Sequence, residues 1–396
     1  MSTPLPPLVA PASDLSREEL ERYSRHLTLP QLGEEGQRRL KNARVLVIGA
    51  GGLGGPALQY LAAAGVGTIG VVDDDVVSVS NLQRQVVHGM ADIGRPKVDS
   101  AADAVARLNP LVAVRRHPER LSTDNALEIF SGYDLIMDGA DNFGTRFLVS
   151  DAAELTGIPV VWGSILRFDG QVSVFWSGHG PVYRDLFPEA PAPGQVPSCA
   201  EGGVLGMLPA TIGSVMVTEA LKLITGIGRP LLGRVLIHDA LAQTWRELTV
   251  LPDPHRPPVT DLSRVALACG LPSDDDAAPA PHETVTAPEL AELLTARSLG
   301  ETSFTLVDVR EDWERKLVAI PGSVHVPLQD VLDRGVAALP DEAEGTVILH
   351  CKAGVRSAQA LAALRADYAL REDTVKHLDG GVLAWIDRVD PALPRY

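Results

Sequence analysis

The stretch Ala43-Arg-Val-Leu-Val-Ile48-Gly49-Ala-Gly51-Gly52-Leu-Gly54-Gly-Pro56-Ala-Leu-Gln-Tyr-Leu-Ala-Ala-Ala64-Gly-Val-Gly-Thr68-Ile-Gly-Val-Val72-Asp73 decides the fold. No charge occurs between Val45 and Val72, a length that could span a bilayer. The glycines and Pro56 divide it instead into a strand (Ala43–Ile48), a glycine turn, a helix (Leu53–Ala64) and a second strand (Thr68–Val72), which reads as buried parallel-sheet core. Glycines after a strand let backbone N–H groups approach phosphate oxygens, and the helix that follows adds its positive end. Asp73 closes the second strand, where a carboxylate can take a ribose hydroxyl.

Working outward, the alternation continues. Upstream, Ser16-Arg-Glu-Glu19 is a capping box for a helix expected to run to about Leu27, and a short helix follows around Glu34 to Leu40. Downstream come a helix at Pro96–Leu108, a strand at Val112–Arg116, a helix at Thr123–Phe130, a strand at Leu135–Asp138, a helix at Thr145–Thr156 and a strand at Pro159–Gly163. Such a series predicts an α/β fold, a Rossmann-like doubly wound sheet with its ligand at the carboxyl ends of the strands. Gln171–Trp176 and Arg234–Asp239 read as antiparallel strands flanking a helix at Leu208–Leu223. A Pro- and Gly-rich loop between Gly178 and Gly203 reads as irregular.

Residues 251–282, with LPDPHRPP at one end and PSDDDAAPAPH at the other, read as a linker between a domain at 14–250 and a second α/β domain at 283–396. In that second domain the pattern predicts helices at Ala287–Ala296, Val355–Ala366 and Val382–Arg388. Strands are expected at Phe304–Val309, Thr346–His350 and Val375–His377.

Composition narrows the function. A formal charge of -16 argues against a nucleic-acid or anionic-membrane surface, which needs basic patches. The three cysteines, Cys199, Cys269 and Cys351, are odd in number, widely spaced and never paired as C-x-x-C, so neither a disulfide framework nor a structural zinc is expected. No basic-then-apolar leader is visible, and a cytoplasmic protein is expected.

The glycine loop alone says only nucleotide or dinucleotide, with an NAD-dependent dehydrogenase as the default. The residues beyond Asp73 shift the reading. Asn81, Arg84 and Gln85 follow it, then Lys97 in GRPKVDSA, then Asp138 and Asp141 in DGADN. Cations beside carboxylates suit a Mg2+-bound triphosphate: Arg84 and Lys97 would neutralise charge at the phosphoryl centre, and Asp141 would hold the metal. The cofactor-binding set is then Gly49, Gly51, Gly52, Gly54, Asp73, Asn81, Arg84, Gln85 and Lys97.

The motifs RYSRHL, VLVIGAGGLGGPALQYLAAAGVG, SNLQRQVVH, DNFGTR and SCAEGGVLG resemble the MoeB/ThiF adenylyltransferases related to ubiquitin-activating enzymes, especially their fused, MoeZ-type form. The resemblance implies ATP-dependent adenylation of the C-terminal glycine of a ubiquitin-like sulfur carrier ending in Gly-Gly. Molybdopterin, thiamine and cysteine biosynthesis use such carriers. It further implies a homodimer in which Arg25 reaches the ATP site of a second copy, and a role for Cys199 in attacking the acyl-adenylate or resolving an acyl disulfide. Two departures stand out. Where many relatives carry zinc-binding cysteine pairs, this chain has Val182-Tyr-Arg-Asp185 and a cysteine-free Pro254–Thr260, so that subdomain is expected to rest on packing alone. Asp74 replaces the usual aromatic between two acidic residues.

His350-Cys351-Lys352-Ala353-Gly354-Val355-Arg356-Ser lies between a strand and a helix. A loop wrapped around one cysteine, followed by a helix N-terminus, favours thiolate over thiol and would equally hold a persulfide anion. With Asp308-Val-Arg310, IPGSVHVPL and LDGGVLAW, the unit resembles a rhodanese domain. Cell-cycle phosphatases of similar fold place five residues between Cys and Arg, whereas four separate Cys351 from Arg356. The resemblance implies a sulfurtransferase loaded by a cysteine desulfurase or thiosulfate. The alternatives are an adenylating enzyme whose second domain only docks or regulates, and a non-catalytic scaffold. Cys269, His255, His282 and His325 carry no expected role.

Overall fold

The structure is a computed structural model that describes residues 5–189, 203–263, 265, 279–340, 346–365 and 374–396. It divides into two compact units, Met1–Ser273 and Asp274–Tyr396. Cys199 and Cys269 lie outside the described residues.

Unit 1 begins with three helices, α1 (Arg17–Arg22), α2 (Ser24–Leu27) and α3 (Gly33–Asn42). Ser16 and Glu19 form the expected capping box, but the helix expected to reach Leu27 breaks at Tyr23. The reason is packing. Tyr23 turns into the core, 4% exposed, where its hydroxyl accepts from Asn109 Nδ2 at 2.8 Å.

The alternating series follows as β1 (Arg44–Ile48), α4 (Gly54–Ala64), β2 (Thr68–Val72), α5 (Lys97–Leu108), β3 (Ala113–His117), α6 (Ala126–Phe130), β4 (Leu135–Asp138), α7 (Phe143–Thr156) and β5 (Val160–Leu166). After it come β6 (Asp169–Phe175), a short helix α8 (Tyr183–Leu186) inside the loop expected to be irregular, a long helix α9 (Leu208–Thr225), β7 (Arg234–Asp239) and β8 (Thr244–Thr249). These strands make one eight-stranded sheet ordered β3-β2-β1-β4-β5-β6-β7-β8. The first five are parallel and the rest antiparallel.

Strand periodicity builds two cores from β1 alone. Val45 and Val47 face the layer holding α4 and α9, while Leu46 and Ile48 face Phe130, Phe147 and Trp162 on the other side. Helix α9 is long and apolar enough to cross a membrane, and 61% of that stretch is buried inside the unit, where it packs on α4, β5 and β6. Close approach requires Gly54, since a Cβ there would lie 1.7 Å from the Gly49 carbonyl oxygen.

The segments expected to rely on packing alone are instead joined by charge. Asp185 Oδ1 accepts from the Asp253 amide at 3.1 Å and from Arg256 Nε at 3.2 Å, and Arg256 Nη2 reaches Glu154 at 3.1 Å. Next to them Arg184 binds Asp151 through two bonds of 2.6 and 2.7 Å. Arg256 keeps only 18% of its side chain exposed and Asp185 only 3%. Removing one member of so enclosed a network leaves a charge without compensation, which costs several kcal/mol. Arg256→Ala is therefore expected to destabilise unit 1 by about 3 kcal/mol in urea unfolding. A loss under about 1 kcal/mol would mean the pair behaves as an exposed one.

Unit 2 holds β9 (Thr284–Val285), α10 (Ala287–Ser298), β10 (Phe304–Asp308), α11 (Asp312–Leu317), β11 (Ser323–His325), α12 (Leu328–Arg334), β12 (Thr346–His350), α13 (Val355–Arg365), β13 (Val375–Leu378) and α14 (Gly381–Arg388). Its strands form a parallel sheet ordered β11-β10-β12-β13-β9. Alternation again splits the core, with Leu306 and Ile348 on the Trp385 side and Val307 and Leu349 on the Leu361 side.

Candidate functional site

At the carboxyl ends of β1, β2 and β4 lies a cleft of about 340 Å³. It is lined by Gly49, Gly51, Gly52, Asp73, Arg84, Gln85, Lys97 and Asp141 from the expected set. Gly54 and Asn81 stand behind it. The first serves close packing, and the Asn81 carboxamide accepts from the Ser78 amide at 3.1 Å, holding the turn that carries Arg84. Arg25 is exposed on α2 and does not line this cleft. Asp74 is exposed at the rim, and its carboxylate and those of Asp73 and Asp75 come within 4.8 Å of one another.

The residues of the cleft hold one another in place. Asp73 accepts from the Ala50 amide at 2.8 Å and the Asp75 amide at 2.9 Å, pinning the glycine turn to the end of β2. Its burial pushes its pKa upward, with Lys97 opposing. Lys97, 6% exposed at the start of α5, bonds Asp75 at 2.7 Å. Gln85 is 5% exposed and leaves its Oε1 without a partner at the edge of the cleft, as suits a site that awaits a ligand donor.

Two residues that sequence reasoning passed over shape this turn. His88 Nε2 donates to the Ala50 carbonyl at 2.9 Å, and its Nδ1 lies 2.8 Å from Ser100 Oγ. A carbonyl only accepts, so Nε2 carries the proton, and burial lowers the ring's pKa. Arg146, 6% exposed, donates to the Ala140 carbonyl at 3.1 Å and lines the cleft. It braces the turn that presents Asp141.

Asp138, at the head of that turn, is 2% exposed and accepts from the Ala140 amide at 3.0 Å. Desolvation raises its pKa from 3.8 to about 6, against the pull of the Ala140 bond and Arg146. A raised folded-state pKa means that folding favours the protonated form. This contribution is complete below about pH 4 and is lost as pH rises through about 6. Two units correspond to about 2–3 kcal/mol. In the nucleotide-free protein, Asp138→Asn is expected to flatten the stability-versus-pH curve between pH 4 and 7; an unchanged slope would reject the assignment.

In unit 2, Cys351 sits at the end of β12 and is 1% exposed. The Gly354 amide donates to its sulfur at 3.1 Å, and the Ser357 hydroxyl stands 3.6 Å away on α13. The start of α14 ties down the other side of the loop: Val382 N–H donates to the Cys351 carbonyl at 2.8 Å, and Leu383 N–H to that of Lys352 at 3.0 Å. Gly381 is required there, since a Cβ would come within 2.4 Å of the Cys351 carbonyl oxygen. With the Cys351 and Lys352 carbonyls engaged outside, the loop turns the Gly354 amide toward the sulfur. Arg356 points elsewhere, bonding Glu314 at 2.6 and 2.8 Å. Val355 is exposed, and the Lys352 ammonium stands over the Tyr396 ring.

A glycine-lined cleft on a doubly wound sheet, followed along the chain by a cysteine cradle, meets its counterpart among known proteins. The ThiF family model matches residues 23–258. The chain belongs to the ThiF family. A rhodanese-like domain model matches residues 286–388, so this ThiF-family chain carries a rhodanese domain behind its nucleotide domain. It is 55% identical over 402 residues to a probable adenylyltransferase/sulfurtransferase MoeZ of Mycobacterium tuberculosis, with 100% of each chain covered. It is 56% identical over 247 residues to a sulfur carrier protein adenylyltransferase of Thermus thermophilus, covering 61% of this chain and 91% of that one. In fold, unit 1 is similar to the E. coli MccB crystal structure with ATP, at a TM-score of 0.52 and 19% identity, covering 60% of this chain and 74% of that one. The ThiF-family match covers the whole cleft, and the rhodanese match contains every residue of the cradle.

Proposed function

We propose that this chain adenylates the C-terminal glycine of a ubiquitin-like sulfur carrier ending in Gly-Gly and then passes it sulfur, leaving a C-terminal thiocarboxylate. One observation carries the reading: a triphosphate-sized cleft with paired cations and carboxylates shares a chain with a buried, amide-cradled cysteine.

A carboxylate resists attack at neutral pH, and joining it to AMP creates a leaving group. The glycine turn holds phosphates, Asp73 takes the ribose and the unpaired Gln85 Oε1 accepts from the nucleotide. Arg84, Lys97 and Arg25 of a second copy in a homodimer neutralise charge as the carrier carboxylate attacks the α-phosphorus and pyrophosphate departs. The exposed Asp141, with the nearby acidic trio, suits a Mg2+ that screens the phosphates. In unit 2 the Cys351 persulfide attacks the acyl-adenylate: a carbonyl carbon–sulfur bond forms and AMP leaves with the electron pair. A second thiol, Cys199, then attacks the acyl disulfide, forming a disulfide with Cys351 and freeing the thiocarboxylate. Release of the thiocarboxylate needs a free thiol, which supports a reducing, cytoplasmic setting. Unit 2 is loaded by a cysteine desulfurase or by thiosulfate.

The test is intact mass spectrometry of a Gly-Gly-ended carrier incubated with the protein, Mg2+-ATP and a sulfane donor. An oxygen-to-sulfur mass shift that needs ATP is expected. Formation of adenylate without the shift would favour the second reading, in which unit 2 only docks or regulates.

A further inference from the structure

An enclosed ionic cluster in unit 2 surrounds Glu314, a residue on α11 outside the cysteine loop. Its side chain is 4% exposed. It grips Arg356 through both carboxylate oxygens, at 2.6 and 2.8 Å, and accepts from the Tyr396 hydroxyl at 3.0 Å. Tyr396 is itself braced: Arg310 donates to its hydroxyl, and its ring lies under the Lys352 ammonium, 4.7 Å from the centroid. Arg310 is neutralised separately by Asp308, which it bonds through two side-chain contacts of 2.8 and 2.6 Å. The loop itself carries two cations, Lys352 and Arg356, and Glu314 acts on both, by bonding Arg356 and by its field at Lys352. The Glu314 carboxyl has its pKa held low by the Arg356 and Tyr396 bonds against the opposing effect of burial, so it stays ionised.

We propose that Glu314, positioned by Tyr396, determines which sulfur donor the Cys351 cradle accepts, by neutralising Arg356 so that the loop favours a singly charged alkyl persulfide over doubly charged thiosulfate. The proposal rests on the sulfur-transfer reading and sharpens it. With either donor the Cys351 thiolate attacks the outer sulfur. A new S–S bond forms at Cys351, the donor's S–S bond breaks, and its electron pair leaves with sulfite or with the alkyl thiolate. The two donors thus differ at the loop mainly in charge, and the field they meet is set by whether the Arg356 guanidinium is compensated. A unit charge removed from so dry a position changes the field several-fold more than one removed in water. A dianion feels that change twice as strongly as a monoanion.

The experiment uses the full-length protein with thiosulfate and with 2-hydroxyethyl persulfide, whose only charge is the persulfide itself, as donors, comparing wild type, Glu314→Gln and Tyr396→Phe. Glutamine keeps the shape and one bond to Arg356 while removing the charge. In Glu314→Gln the KM for thiosulfate is expected to fall about tenfold while that for the persulfide falls only about threefold. Alkylation gives a second reading independent of turnover. The rate of Cys351 with iodoacetate relative to neutral iodoacetamide should rise about threefold, as for a singly charged donor, whereas a merely structural defect would move both reagents together. Tyr396→Phe, which disturbs only the hydroxyl, should shift both measurements the same way by a smaller factor, and it carries the test if Glu314→Gln fails to fold. A folded variant of either kind with an unchanged donor preference and an unchanged alkylation ratio overturns the proposal. If wild type draws sulfur from neither donor, the sulfur-transfer reading fails, while the alkylation ratio still decides the role of Glu314.

Discussion

Lys97→Ala is expected to cut ATP–pyrophosphate exchange by roughly 10²–10³-fold while leaving the protein folded. The ammonium lines the cleft, 6% exposed, and sits 2.7 Å from Asp75. Without it, Asp73 and Asp75 meet the phosphates with no nearby lysine to compensate them, and transferring charge loses a donor inside a partly dry site. Stability changes far less, since the partner carboxylate is 68% exposed and water takes over its solvation. Such half-exposed pairs contribute at most about 1 kcal/mol. The contrast makes the measurement clean: exchange kinetics should collapse while the melting temperature scarcely moves. Exchange that survives in a folded Lys97→Ala would remove Lys97 from the phosphoryl site.

The second large effect separates the two units. Cys351→Ala is expected to abolish thiocarboxylate formation on the carrier while pyrophosphate exchange stays at the wild-type rate. Alanine deletes the sulfur that the Gly354 amide and Ser357 hydroxyl contact, and the described residues that line the cleft belong to unit 1. The residue is buried but small, and the α14 ties to the loop run through the Cys351 and Lys352 carbonyls, which the substitution keeps. Mass spectrometry of the carrier reads one half of the prediction and radiolabelled pyrophosphate the other. A mass shift that persists would mean unit 2 is not the obligatory donor.

How much of this was legible beforehand depended on how local the signal was. Leu135–Asp138, Arg234–Asp239 and Thr346–His350 are uniform apolar runs closed by polar residues, and they appear as strands with those bounds. Strand Thr244–Thr249 escaped because all six of its residues are exposed at the edge of the sheet, so its TWRELT carries no burial pattern. In unit 2, α11, β11, α12 and the two-residue β9 are too short for periodicity to register. The glycine turn, Asp73, Arg84, Lys97 and the Cys351 loop could be read because each motif is contiguous. His88 and Glu314 could not. His88 reaches Ala50 across 38 residues of chain, and Glu314 meets Tyr396 across 82. Nothing in the residues beside them announces such long closures. The charged joint around Arg256 was missed for a different reason: its members look like ordinary surface charges until the fold encloses them.

That joint also sets what kind of injury the protein withstands. Asp185, Arg256 and Glu154 lock the 182–185 turn to the 253–259 segment through two carboxylates, a guanidinium and backbone amides. Peroxide finds no thiolate there to oxidise. An enzyme that handles reactive sulfur thus keeps the brace of its nucleotide unit out of reach of its own chemistry.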